Sequence, residues 1–293
     1  MLKIGIFTYY FNNPKFIKIQ HKLFNEYTLE NYELIVFNDA EKKSIYDNQI
    51  NDICKSLNIK CIKVPQEIHK INNPSYSYGV TLDWSLKNIG FGLYDIIVIV
   101  HADVFPIGKI SILQLLGDNA IFSAQDSPKK GYEHICPSLV ILNITKMKNL
   151  QDFSLMCGKI DDINFDTGGL SYKYFKQNSD VKKFLFGVDG IMRNTNYYSE
   201  NIEKYIQMDF KICKKYKVKF GWVCYNFYHY ICGTNWDAPK LDLTYKNIYK
   251  NMIDSKNKEE FASNIIKKWY KNVMNIFYFK CHLRRNSLVT CLL

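Results

Sequence analysis

The chain has 293 residues, is 47% hydrophobic and 15% aromatic, and carries a formal net charge of +11. That much apolar material supports a sizeable core, and the absence of low-complexity runs excludes a disordered protein. The charge suits an anionic partner such as phosphates, nucleic acid or a membrane surface, or it reflects an AT-rich codon bias that enriches lysine. Lysines cluster only in pairs such as Lys214-Lys215 and Lys267-Lys268, so no nucleic-acid tail is expected. The nine cysteines show no C-x-x-C or metal-like spacing, which points to free thiols in a reducing compartment. The first residues, Met1 to Phe7, read as a strand rather than a secretory leader. No apolar run approaches the ~20 residues of a membrane span. A cytoplasmic protein is expected, with contact at a membrane surface as the variant.

In chain order, Leu2–Phe7 reads as the first strand. Phe16, Ile19, Leu23, Phe24 and Tyr27 then recur at helical spacing, with Pro14 suited to the helix start. Glu33–Phe37 is a second strand ending on Asn38-Asp39, Ser44–Leu57 a second helix, and Lys60–Val64 a third strand. Tyr76–Ile89 puts Val80 with Trp84, and Leu82 with Leu86, on one apolar helical face. Ile96–Val100 is a run of five β-formers, the mark of a strand buried on both faces. It leads into His101-Ala-Asp103, and Pro106 is expected to stop further ladder pairing. This alternation implies a largely parallel α/β sheet with right-handed crossovers. Beyond Pro106 the pattern loosens. Ala120–Ala124, Ser138–Leu142 and Lys219–Val223 read as strands, and the stretches near Tyr172–Gln177, Asp180–Phe184 and Ser199–Lys214 as helices. No repeat or linker interrupts the chain, so one continuous body with a variable second half is expected.

Ligands of open α/β sheets bind at the carboxyl ends of the strands. Three polar sites stand there: Thr8-Tyr9, Asn38-Asp39 and His101-x-Asp103. Neither G-x-G-x-x-G nor G-x-x-x-x-G-K is present, so a nucleotide would be held by side chains and a metal rather than a glycine cradle. Tyr9 or Tyr10 is suited to stacking on a base, and Asp39 to accepting hydrogen bonds from a base N–H or a ribose hydroxyl. Asp103 is suited to a hard divalent cation, which needs only one or two protein carboxylates when it bridges phosphates. Taken singly, Thr8 and Asp39 equally suit helix or turn caps.

Further along, Asp166 precedes the pair Gly168-Gly169, which permits a ligand's close approach or a positive-φ turn. It is a candidate base or acceptor-binding group, or else an N-cap for the helix through Tyr172. Asp189, flanked by Gly187 and Gly190, is the rival, with a plain turn as its simpler role. Glu133 and His134 precede a strand and are candidates to face a donor sugar, a solvated loop being the default. No nucleophile elbow G-x-S-x-G occurs. The apolar stripe from Phe261 to Phe277, with Lys267, Lys268 and Lys271 off it, suits a helix lying on an anionic membrane. It equally suits one docked on its own core or on a second subunit.

Ile4-Gly-Ile-Phe-Thr8-Tyr9, Glu33-Leu-Ile-Val-Phe-Asn38-Asp39 and the strand entering His101-Ala-Asp103 resemble the glycosyltransferases of the GT-A fold. The resemblance covers residues 1–110 well and the rest loosely. It implies a Rossmann-like, mixed but mainly parallel sheet flanked by helices. It also implies that Asp39 contacts the donor nucleoside, with Thr8, Tyr9 and Asn38 as the further donor-binding candidates. A D-x-D motif there holds Mn²⁺ or Mg²⁺ on the diphosphate; here His101 replaces the first carboxylate, leaving Asp103 as the direct ligand. His229, in His229-Tyr-Ile-Cys-Gly233-Thr-Asn-Trp236, is similar to the late histidine that completes the metal shell in some of these enzymes. A hydrogen-bonded core histidine is its plain alternative.

The implied reaction moves a sugar from a nucleotide donor to a hydroxyl of a glycan or glycolipid, with Asp166 as base if the enzyme is inverting. Residues 1–110 would then be the nucleotide-sugar half and 111–255 the acceptor and catalytic half of one domain. Residues 256–293 would form a basic C-terminal helix and tail. A sugar nucleotidyltransferase is the first rival, although Thr8–Lys15 lacks the glycine-rich signature such enzymes carry. A catalytically degenerate binding protein is the second.

Overall fold

Runs of branched and aromatic residues separated by amphipathic helices produce the sheet that the alternation predicts. In the computed structural model the described residues are 2–187, apart from 12, 13, 72, 107 and 126–130, together with 222–229. The chain divides into two units, Met1–Arg193 with Trp222–Thr234 and Asn194–Gly221 with Asn235–Leu293. All described residues belong to the first. The expected helix at Ser199–Lys214, Asp189, the Gly233–Trp236 turn and the C-terminal stripe lie outside the described residues.

The strands are β1 (Ile4–Tyr10), β2 (Glu33–Asn38), β3 (Lys60–Lys63), β4 (Ile96–His101), β5 (Val104–Pro106), β6 (Ile121–Gln125), β7 (Leu139–Asn143), β8 (Gly158–Ile160), β9 (Ile163–Phe165), β10 (Lys183–Gly187), β11 (Trp222–Cys224) and β12 (Phe227–His229). Seven of them form one sheet in the order β10-β6-β7-β4-β1-β2-β3. The β3-β2-β1-β4 half is parallel, β7 runs antiparallel to both β4 and β6, and β10 is parallel to β6. The protein is therefore α/β, with a mixed, mainly parallel sheet flanked by helices.

The main helices are α1 (Lys15–Tyr27), α2 (Ile45–Ser56) and α3 (Pro74–Ser85). A π-turn at Leu86–Gly90 follows α3 and leads into α4 (Phe91–Leu93); α5 (Ile112–Leu116) and α6 (Ser171–Gln177) come later. Ser44 caps α2 and Asn73 caps α3, each accepting a backbone N–H three residues on. No helix of the described residues is long and apolar enough to cross a membrane. Cys54, Cys61, Cys136 and Cys157 are free thiols.

Two expectations change. Val104–Pro106 is itself a strand, β5, paired antiparallel with β12 so that Pro106 sits opposite Phe227; the proline ends a short strand rather than preventing one. The stretch Asp180–Phe184 is not helical. Lys183–Gly187 is an extended strand in register with β6, because Phe184 and Phe186 alternate onto one side and pack on Phe122.

Side-chain alternation decides what each strand end offers. Phe7 and Tyr9 of β1, Ile35 and Phe37 of β2, and Ile97 and Ile99 of β4 share one core with Leu82 and Leu86 beyond the sheet face. By the same two-residue period His101 belongs to that α3 face, and Asp39, one step past β2, meets α3 as well. Thr8, Tyr10 and Asn38 have the opposite parity and turn toward α1 and α2.

Candidate metal and nucleotide site

The strand register puts Tyr9 level with both Phe37 and His101. The ends of β2 and β4 therefore lie at one edge of the sheet with β1 between them, roughly 10 Å apart from the usual strand spacing. Asp39 stands at the first end and the His101–Asp103 turn at the second.

That turn is held from beneath by one buried amide. Gln20 of α1 is fully buried. Its Oε1 accepts from the Thr8 and Tyr10 hydroxyls, and its Nε2 donates to the backbone carbonyls of His101 and Val104, each at 2.8 Å. All four bonds available to a primary amide are thus made. The main chain on either side of Asp103 is fixed by this residue, which the sequence reading did not single out. The signal was present: Gln20 interrupts the buried stripe Phe16, Phe24 at i+4 spacing.

Asp103 is 2% exposed. Its Oδ1 lies 3.3 Å from His229 Nε2 and 3.9 Å from His101 Nδ1. The closer approach is an ion-pair distance without hydrogen-bond alignment, and Oδ1 makes no hydrogen bond to another described residue. The two imidazoles meet edge to face at 5.5 Å. Ligand atoms of all three side chains fall within 4.8 Å of one another, the only such group of three among the described residues that could hold a metal ion. His229 arrives through β12, where it pairs with Val104 of β5, while His101 and Asp103 flank the end of β4.

Burial works against the charge on Asp103, yet the charge and proximity of His229, reinforced by His101, outweigh it and hold the carboxyl below its usual range. For His101 burial dominates and lowers its pKa to about 4, so the ring is neutral at pH 7 with a lone pair to offer. An ionised carboxylate with a neutral imidazole beside it is a donor set that fits a divalent cation. Two nitrogens and one oxygen favour a transition ion such as Mn²⁺ over Mg²⁺, which prefers oxygen.

At the β2 end, Asp39 receives His69 Nε2 at 2.8 Å on Oδ1 and the Thr81 hydroxyl at 3.1 Å on Oδ2. Burial raises its carboxyl above the ordinary range, opposed by His69. It caps no helix here. The other nucleoside candidates are engaged inside the protein. Thr8 donates to Gln20 from the α1 side. Tyr9 stacks on Phe37 at 5.0 Å and bonds Ser85 at 2.8 Å. Asn38 bonds Asp47, Asn51 and the Ala40 N–H. In this structure they shape the rim from below, and of the four only Asp39 is more than marginally open to solvent.

Asp166 is exposed, and its negative charge reaches His101 and Cys157. It does not cap α6; its Oδ1 accepts the Thr167 N–H at 2.7 Å. The turn is tied to α3 by the Thr167 hydroxyl, which donates to the Ser75 carbonyl at 2.9 Å. Gly168 has φ +93°, and a Cβ there would lie 2.1 Å from the Ile135 carbonyl oxygen. The glycine pair therefore serves close backbone packing. Glu133 pairs with Lys183 at 3.2 Å, and His134 is buried against Phe165.

No protein-family model matches the sequence, and no curated protein matches it. Among solved structures, glucosyl-3-phosphoglycerate synthase from Mycobacterium tuberculosis, in complex with Mn²⁺, UDP and glucosyl-3-phosphoglycerate, aligns at TM-score 0.38 and 11% identity. The alignment covers 64% of this chain and 71% of that one. The same enzyme with Mn²⁺, UDP-glucose and glycerol 3-phosphate aligns at TM-score 0.37 and 10% identity over the same shares. A mycobacterial protein aligns at TM-score 0.37 and 11% identity, over 64% of this chain and 66% of that one, just under two thirds of its length.

Proposed function

We propose that the protein is a GT-A-type glycosyltransferase that uses a nucleotide-sugar donor and a divalent metal, preferably Mn²⁺. The observation that carries this reading is the His101–Asp103–His229 group, one strand away from Asp39 at the carboxyl end of a parallel sheet. Asp39, oriented by His69 and Thr81, accepts from the nucleoside. Asp103, His101 and His229 hold the cation, with Thr8, Tyr9 and Asn38 keeping the rim in shape. When bound, the cation neutralises negative charge developing on the leaving diphosphate. The acceptor is a hydroxyl of a glycan or glycolipid, and the protein acts in the cytoplasm, with membrane contact through its C-terminal segment.

Asp166, exposed and electrostatically in touch with His101, is the base in an inverting reaction. Asp166→Asn then abolishes transfer while donor binding survives, because the base acts on the acceptor.

The test of the whole reading is thermal stabilisation by UDP-, GDP-, CDP-, dTDP- and ADP-sugars with and without Mn²⁺, since a ligand of the native state raises its stability. One base class should stabilise, more strongly with Mn²⁺. No stabilisation by any donor would refute the reading. Consumption of a nucleoside triphosphate with a sugar 1-phosphate would select the nucleotidyltransferase instead. Metal-dependent binding without transfer or donor hydrolysis would select a degenerate relative.

A further inference from the structure

Among the buried polar atoms of the described residues that lack a hydrogen-bond partner, three belong to side chains that meet at one imidazole: Nε2 of His101, Oδ1 of Asp103 and the hydroxyl of Tyr78. The first two belong to the candidate metal group. Tyr78 belongs to α3 and needs a separate account. Its ring is fixed on two sides, meeting His101 edge to face at 5.1 Å and Tyr9 at 5.7 Å. Neighbouring buried phenols find partners, Tyr9 in Ser85 and Tyr10 in Gln20. A buried hydroxyl left without one is uncommon in native proteins and asks for a reason. An ordinary phenol stays protonated at neutral pH. The group therefore keeps its proton and is a donor in search of an acceptor. Thr81, three residues on along the same helical face, donates to Asp39. One face of α3 thus looks onto both ends of the proposed nucleotide site.

We propose that the Tyr78 hydroxyl binds ligand, donating to a phosphate oxygen of the nucleotide held at His101, Asp103 and His229, and that its empty donor in the free protein is kept for that contact. The inference rests on the nucleotide-and-metal reading above. A phosphate oxygen supplies what the protein does not, a charged acceptor, and hydrogen bonds to charged acceptors are the stronger kind.

Tyr78→Phe tests this cleanly, because it keeps both ring contacts and removes only the O–H. Three quantities should be measured on wild type and variant: the melting temperature without ligand, Mn²⁺ affinity by electron paramagnetic resonance, and UDP and GDP affinity by calorimetry at saturating Mn²⁺. The variant should melt at or a few degrees above wild type, since it loses an unsatisfied group. Its Mn²⁺ affinity should change by less than about twofold, while affinity for the diphosphate that wild type binds should fall about tenfold or more. Uridine and guanosine, which lack phosphates, should bind both proteins equally. A melting temperature several degrees lower would assign the hydroxyl a structural partner. Unchanged diphosphate affinity, lost Mn²⁺ affinity or lost nucleoside affinity would each overturn the phosphate contact. Wild type that binds neither diphosphate is taken through CDP, dTDP and ADP in the same way, and binding none of the five would instead remove the underlying site reading, and Tyr78 with it.

Discussion

Gln20 should be among the least replaceable residues of the described fold, because all of its amide bonds go to the strand ends beneath the candidate site. Gln20→Leu keeps the bulk but strands the hydroxyls of Thr8 and Tyr10 and the carbonyls of His101 and Val104, all of which it bonds at 2.8 Å. A buried polar group left unsatisfied costs about 1–3 kcal/mol. Some relief is available, since the Tyr10 hydroxyl also lies 3.5 Å from the Ala102 carbonyl. A net loss of about 3–5 kcal/mol follows, and at about 2–4 °C per kcal/mol for a domain of this size, melting should fall by about 6–20 °C.

Gln20→Glu adds a sign. One carboxylate oxygen can still accept from Thr8 and Tyr10, but the other faces two carbonyl oxygens with no proton to give. Burial and those carbonyls raise its folded pKa above the ~4.3 of free glutamate. The deficit against wild type should be small below about pH 4, where the group is protonated in both states. It should grow as pH rises through the folded pKa. Scanning fluorimetry between pH 4 and pH 7.5 reads both effects. A Leu variant melting within about 2 °C of wild type, or a Glu variant whose deficit ignores pH, would refute the clamp.

Three further substitutions probe other parts. Asp103→Asn keeps shape and removes the charge a divalent ion needs, so Mn²⁺ affinity should fall beyond the ~10–100-fold that loss of an outer-shell partner costs, as read by titration. Retained affinity would remove Asp103 from the ligand set. Asp39→Ala should weaken nucleoside diphosphate binding by about tenfold or more with and without metal, and an unchanged calorimetric constant would contradict its role. Glu30 accepts the Ser111 hydroxyl and the N–H groups of Ile112 and Leu113 at the start of α5; burial opposes these bonds, but they prevail and hold its carboxyl below the usual range. Its contribution is therefore present above pH 4.5 and lost as pH falls through the folded pKa, so Glu30→Gln should cost about 1 kcal/mol at neutral pH and progressively less as pH falls through that folded pKa, by urea unfolding.

The parallel half of the sheet was legible because Ile96–Val100 and its neighbours are branched runs with helices between them, a local signal that tertiary context did not override. Strand ends were legible as places but not as directions. Thr8 and Tyr9 were grouped, as were Asn38 and Asp39, although a period of two sends the members of each pair to opposite faces. Counting parity from the buried Phe7 and Phe37 would have separated them. The misread segment at Asp180–Phe184 carried Val181 and Phe184 at helical spacing, and only the pairing with β6 settles it as extended. The β5–β12 contact joins three-residue strands far apart in the chain, too short for any periodicity, so His229 was reachable only through resemblance. His69, Tyr78 and Thr81 went unremarked because their meaning lies in what α3 faces, which no local pattern records.

The β5–β12 pairing also bears on how tightly the unit holds together. Asp103 and His229 lie at opposite ends of more than a hundred residues of chain, and the main-chain ladder that joins them is only three residues long. A cation gripped by both would act as a reversible cross-link across that span. A covalent link closing a loop of about 100 residues removes unfolded-chain entropy equivalent to about 4.7 kcal/mol, and a labile one contributes a share set by how fully it is occupied. Cation occupancy and the pairing of β12 with β5 would then be one equilibrium seen from two ends. On the proposed reading the hairpin would be most firmly seated when the site is loaded.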